Sequence, residues 1–186
     1  MKKIFGLMLL CAMSISVSAQ TDASSNNAKC WFSFSTGEFI SQQGQDGFVV
    51  YEVAGMSASE LKASAYTVLS SMYKSPKDVI TTLSDNMIQL EGYAAGIYGD
   101  YTGDTYYRKD IQFNLVIQFK DGKVRYNTPT IKQIYSEWPL SGMARFDMSK
   151  PLSVLVKDAS SRQKIEDYFS KLIYSINSQL EKSNDW

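Results

Sequence analysis

Ile111, Phe113, Leu115, Ile117 and Phe119 alternate with Gln112, Asn114, Val116 and Gln118. A period of two sustained over nine residues predicts a strand with one buried face. Asp121-Gly122 then reads as a two-residue hairpin turn, because glycine takes positive φ at little cost. Lys123–Tyr135 is expected to return antiparallel, with Pro129 marking an edge position or a bulge. An earlier hairpin is read over 78–95. Its first strand holds the β-branched cluster Val79–Thr82 and its turn Asp85-Asn86. Its second strand, from Met87, places Ile88, Leu90 and Ala94 on one side and Gln89, Glu91 and Tyr93 on the other. A helix over Pro76–Leu83 is the alternative for the first half. Phe48–Val53 is a further strand of β-branched and aromatic residues.

Two segments have helical periodicity. Ser57-Ala58-Ser59-Glu60 spells a capping box, in which the Ser57 hydroxyl accepts from a helical N–H and Glu60 reaches back. The helix after it puts Leu61, Ala65, Val68, Leu69 and Met72 on one face and should stop before Pro76. From Ala159 to Lys182, Ile165, Phe169, Leu172, Ile176 and Leu180 form a second apolar stripe. Cys30–Ser35 alternates partly, as a short strand would. Thr36–Gly47 reads as loop, and Ser136–Pro151 as irregular.

The order strand, helix, hairpin, hairpin, helix leaves half-polar strands that need one covered side. It also leaves two helices with one apolar stripe each. Laying both helices on one face of a curved antiparallel sheet of about five strands satisfies both needs, an α+β fold. The organisation read from the sequence is a signal over 1–19, a flexible leader over 20–35 and a single domain over 36–186.

The N-terminus sets the expected address. Lys2-Lys3 precede the apolar run Ile4–Ile15, and Val17-Ser18-Ala19 offers the small residues a signal peptidase needs. Cleavage after Ala19 implies a periplasmic or extracellular protein. The run is too short to span a bilayer, and Leu10 is too large for the position before a lipid-bearing Cys11. Removing Lys2 and Lys3 with the signal leaves 17 basic against 19 acidic residues, a net charge of −2. That argues against nucleic acid as a partner. The chain has no histidine, which removes Ser-His-Asp and Cys-His catalysis and histidine metal sites. Cys30 would be the lone thiol of the mature chain, read as a buried small hydrophobe.

The stretch from Val49 to Tyr135 has a recognisable pattern. It runs VVYEVAGMSASELKASAYTVLSSMY, then VITTLSDNMIQLEGYA, then IQFNLVIQFKDGKVRYNTPTIKQIY. It resembles the secreted proteins of Bacteroides-type bacteria classed as a domain of unknown function with a TBP-like fold. In those proteins a strand leads into a capped helix, then a β-branched hairpin, then an alternating strand-DGK-strand hairpin. This chain departs from the pattern at GYAAGIYGDYTG, where a shorter strand ending in Gly-Lys-Gly is usual. The resemblance implies a fold and an envelope address and carries no functional residues.

The candidate chemistry sits in that departure. Gly92–Tyr107 holds glycines at 92, 96, 99 and 103 among Tyr93, Tyr98, Tyr101, Tyr106 and Tyr107. Read locally, glycine supplies mobility and tyrosine supplies amphipathic contact area, as in binding loops. The alternative is a long hairpin tip with its tyrosines lying on the sheet surface. These five tyrosines and Trp138 are the candidate binding surface, with Trp31 assigned to the core. Asp100, Asp104 and Asp110 lack the spacing of a calcium loop. Glu52, Glu91, Asp110 and Glu137 read as solvated carboxylates. Arg108, Lys109, Lys120, Lys123 and Arg125 read as basic residues interspersed with acids. No cofactor, metal or catalytic set is expected. The reading is a non-enzymatic binding or protein-interaction module, its partner another envelope protein. The alternative is a carrier of a small apolar ligand between the sheet and the last helix.

Overall fold

The structure, a computed structural model, describes residues 32–34, 39–43, 47–138, 142–150 and 155–183. The signal, Cys30 and Trp31 lie outside these residues. Among these described residues, nine strands and three helices follow in order. They are β1 (Phe32–Phe34), β2 (Phe39–Ser41), β3 (Phe48–Glu52), α1 (Ala58–Met72), α2 (Pro76–Val79), β4 (Ile80–Ser84), β5 (Met87–Thr102), β6 (Thr105–Lys120), β7 (Lys123–Asn127), β8 (Thr130–Trp138), β9 (Gly142–Arg145) and α3 (Ala159–Ser183).

β6 is the axis of the sheet. One of its edges pairs with β5 from Thr105 to Gln118. The other pairs first with β8, over Lys109–Asn114, and then with β7, over Ile117–Lys120. β7 and β8 are therefore one returning line broken at Thr128-Pro129, where proline has no N–H to give. β3 lies outside β7, β9 lies outside β8, and β4 pairs with the base of β5. The sheet is open and antiparallel. It is five positions wide, as the sequence suggests, but holds seven strands because Pro129 splits one position and β3 and β9 share another.

Both long helices pack on one face. Ile111, Phe113, Leu115, Ile117 and Phe119 point to it and are buried. The capping box of α1 is complete: the Glu60 N–H donates to Ser57 Oγ, and the Ser57 N–H donates to Glu60 Oε2. Leu61, Ala65 and Leu69 are buried, whereas Met72, in the last turn of α1, is 46% exposed. α3 opens with Asp158 Oδ2 accepting from the Ser161 N–H at 2.7 Å. It buries all five residues of its stripe, each contributing about 2 kcal/mol by the area it removes from water. The Phe169 ring meets Phe113 edge-on at 4.9 Å and Phe39 at 5.2 Å. Tyr126 donates to Asn177 Oδ1 at 2.5 Å, fixing α3 along the sheet.

Several expectations need correction. β2 lies inside the expected loop, because Phe39 is drawn onto Phe169 and Ser41–Phe39 pairs with Phe32–Phe34. Phe32 is buried, so the packed domain reaches back into the expected leader. The 78–95 hairpin forms from β4 and β5. The first turn after Ser75 is nonetheless helical (α2), with Pro76 at its start, where a missing N–H costs nothing. β9 forms within the expected irregular stretch, its Gly142 adopting φ +82° opposite Trp138.

On the free edge of β3, one side chain caps Val50. Gln43 Nε2 donates to the Val50 carbonyl at 2.8 Å, and Gln43 Oε1 accepts from the Val50 N–H at 2.7 Å.

A Cβ built on Gly92 would lie 2.1 Å from Cζ of Phe113, its direct partner on β6, far inside contact distance. Gly92→Ala is therefore expected to destabilise the fold by about 1–3 kcal/mol, as overpacking does. Urea denaturation should show a lowered midpoint with an unchanged slope.

Candidate functional site

Beyond Lys109, the last residue of β6 paired with β8, the β5–β6 hairpin runs on as an arm of two strands to the turn at Gly103-Asp104, where Gly103 takes φ +62°. Of the two readings of this segment, the long hairpin tip is the one that forms, and it is regular sheet. Its glycines have particular duties. Gly92 makes room for Phe113, and Gly99 for the ring of Tyr106. Gly96, at φ +62°, forms a bulge in which Ala95, Gly96 and Ile97 face the single residue Asp110. Asp110 Oδ1 accepts from the Gly96 N–H at 2.6 Å and Oδ2 from the Tyr93 hydroxyl at 2.5 Å. Three residues against one keeps the alternation in phase, so the two faces of the sheet continue into the arm.

The alternation separates the candidate residues. Tyr93, Tyr101 and Tyr106 lie on the outer face, 48%, 72% and 47% exposed. Tyr101 and Tyr106 pack on each other at the tip, ring centroids 5.1 Å apart, and Tyr93 packs on Tyr135 at 5.9 Å. Arg108 bridges Asp110 (3.5 Å) and Glu137 (3.0 Å) on the same face. Partial burial and the bond to Asp110 push the Tyr93 phenol up to about 12.

Tyr98 and Tyr107 lie on the opposite, helix-side face with Asp100 and Lys109. Tyr98 is buried, and Tyr107 is partly covered. Trp138 closes β8 opposite Gly142; its side chain lies outside the described residues. Asp100 and Asp110 are on opposite faces and do not converge on a common ion. The space between the sheet and α3 is filled by its own side chains, Phe113 against Phe169 and Tyr168.

Asp110, read from the sequence as a solvated carboxylate, is 2% exposed. The second departure is Lys109, read only as one of several basic residues interspersed with acids. It is 5% exposed. Its ammonium donates to Ser136 Oγ at 2.9 Å, meets Asp100 Oδ1 at 3.1 Å and sits 4.8 Å from the centre of the Phe146 ring. A buried ammonium needs such partners. The signal was present in the alternation: 109 has the same parity as 111, 113 and 115, so a strand extended backwards turns Lys109 inward. Phe146 and Asp147 divide two hollows around this pair. One, about 450 Å³, opens towards the start of α3; the other, about 290 Å³, lies over Tyr107 and Ser136.

No family model and no curated protein sequence matches the chain. Among solved structures, a TBP-like protein from Parabacteroides distasonis ATCC 8503 matches with a TM-score of 0.52 at 8% identity, over 72% of this chain and 90% of that one. The fold is TBP-like. A DUF4468 family protein from Bacteroides ovatus ATCC 8483 matches with a TM-score of 0.47 at 11% identity, over 77% of this chain and 86% of that one. The resemblance read over Val49–Tyr135 agrees in fold with the TBP-like neighbour. Identities this low speak to fold alone, and a TBP-like fold is a shape that hosts unrelated functions. Among the described residues of this TBP-like chain, no helix is long and apolar enough to cross a membrane.

Because the Tyr93 pKa is raised, folding favours the neutral phenol. Its contribution is complete below the ordinary value of about 10 and is lost as pH rises from there through about 12. Asp110→Asn should bring the Tyr93 titration, followed by NMR on ¹³C-labelled tyrosine, back towards about 10. Asp110→Ala also strips the bulge of its acceptor and should cost about 1–3 kcal/mol in urea denaturation.

Proposed function

We propose that the chain is a non-enzymatic binding or protein-interaction module of the cell envelope, and that its contact surface is the sheet face turned away from the helices. One observation carries this reading. α1 and α3 both cover the same side, and the other side presents Gln112, Asn114, Val116 and Gln118 half-exposed along β6. The tyrosines Tyr93, Tyr101, Tyr106 and Tyr135 border them. Tyrosine and arginine are enriched where proteins meet, since both offer wide contact with few freedoms to lose. Arg108, Arg125 and Arg145 project on this face, with Arg125 stacked 3.7 Å from the centre of the Phe48 ring and Arg145 5.8 Å from that of Tyr135.

The envelope address is supported by Lys2-Lys3, the apolar run Ile4–Ile15 and Val17-Ser18-Ala19. The non-enzymatic reading is supported by the missing histidine. The close carboxylates of the outer face add to it, because Asp110 and Glu137 are both engaged by Arg108. The partner expected is another envelope protein.

A photo-crosslinking amino acid placed at Gln112 or Tyr101 should give a higher-mass adduct in the native host, and one at Lys171, on the exposed side of α3, should not. Adducts of equal yield from both faces, or none from Gln112 and Tyr101, would overturn the proposal.

A further inference from the structure

β5 has strands on both sides only at its base. β4 pairs with Met87–Leu90, and from Glu91 to Thr102 the outer edge of β5 meets no strand among the described residues. One bond sets the phase of the ladder: the Phe119 N–H donates to the Asn86 carbonyl at 2.8 Å. Antiparallel pairs alternate between bonded and unbonded, so the even-numbered residues of β5 exchange bonds with β6. The odd-numbered residues turn their N–H and carbonyl away from it. The bulge opposite Asp110 keeps this phase, since Ala94 meets Ile111 before it and Tyr98 meets Lys109 after it. Ile97, Gly99 and Tyr101 therefore direct their backbone groups outward along a continuous run, Ile97–Thr102, that begins where the bulge ends.

Native sheets blunt such rims with lysine, proline or a covering group. β5 holds neither lysine nor proline from Met87 to Thr102. At the opposite side of the sheet, Gln43 caps Val50. One rim is capped and the other is left able to pair. The open run is also reachable. Tyr101 is exposed, the Asp100 side chain is 55% exposed, and Ile97 and Gly99 are partly so.

Charge selects the occupant. Asp100 and Asp104 lie exposed on the run and its turn, and the cation that Asp100 holds, Lys109, is buried on β6. A second copy paired antiparallel about Gly99 would bring the two Asp100 carboxylates to diagonal positions, where like charges repel. A segment carrying lysine or arginine meets attraction in the same places. On the helix side, Tyr98 and Asp100 border the cleft of about 450 Å³, where the partly exposed Phe146 and Leu155 supply apolar wall. A strand added about 4.8 Å outside β5 sends alternate side chains to that side. In strand addition the backbone bonds give affinity, and hollows beside the rim give specificity.

We propose that the Ile97–Thr102 rim of β5 receives an extended basic segment of the partner protein as an added strand, with an apolar side chain of that segment directed into the cleft. This docking rests on the reading of the chain as a protein-interaction module and gives the partner's contact its form.

The test uses the full chain as produced in its host, with a random peptide library displayed on phage as the probe. A selected peptide is then synthesised and titrated against ¹⁵N-labelled protein. Selected peptides should combine lysine or arginine with an apolar residue at an alternate position. The amide hydrogens of Gly99 and Tyr101, open to exchange in the free chain, should gain protection on binding. Tyr101→Pro removes an outward N–H and none that bonds to β6, so the fold is kept. It should weaken binding about tenfold, the worth of one hydrogen bond. Tyr101→Ala keeps the N–H and should bind more tightly than Tyr101→Pro. Strand addition is overturned if no peptide is selected, if the selected peptide protects neither amide, or if the two variants weaken binding alike. Dimerisation of the chain that protects the same amides overturns it in favour of a second copy. A photo-crosslinked adduct from Gln112 that Tyr101→Pro leaves undiminished overturns strand addition alone, whereas its absence in the unaltered chain overturns the sheet-face reading with it.

Discussion

The structure depends on a side chain that is not there. With only hydrogens on Gly92, the Phe113 ring lies across its partner strand. From that position it meets Phe169 and Tyr168 edge-on, the arrangement aromatic quadrupoles favour. Phe169 in turn receives Phe39 from the β1–β2 hairpin. Sheet, long helix and N-terminal hairpin are thereby joined through one ring. α3 cannot slide without breaking this cluster and the Tyr126–Asn177 bond together.

The same device repeats farther along the arm, where Gly99 admits the ring of Tyr106. An aromatic lying over a cross-strand glycine covers backbone that would otherwise be bare. Between the two glycines, Asp110 holds the bulge closed and ties it to Arg108 and Tyr93. The bulge keeps the alternation in phase. One strand pair can therefore present tyrosines and charges outward while burying Tyr98 and Lys109 on the side of the helices.

Much of this was legible in the chain. The alternation of Ile111–Phe119, the Ser57–Glu60 box and the stripe of Ile165–Leu180 each report a local rule, and each element stands where that rule puts it. Over residues 92–107 the sequence left two readings open, a mobile binding loop and a long hairpin tip, and the hairpin is what forms. Glycine beside tyrosine suggests a mobile loop when the window is local. The reason for Gly92 and Gly99 lies on the opposite strand, which no local window contains. Lys109 was hidden by its charge, although its parity with Ile111 already assigned its face. β2 escaped because Phe39-Ile40 is a pair of apolar residues in a polar stretch, and its strand exists only through Phe32–Phe34.

The clasp of Gln43 on Val50 has a consequence for how this chain lives among its copies. A strand rim is a row of open amides, and any extended segment that arrives can continue the ladder. In Gln43 a single carboxamide occupies the donor and the acceptor of Val50 at once. It acts as a one-residue strand that offers nothing further for another chain to pair with. At this point the ladder ends within the molecule, which turns a site for runaway stacking into a terminus at the expense of one side chain's freedom.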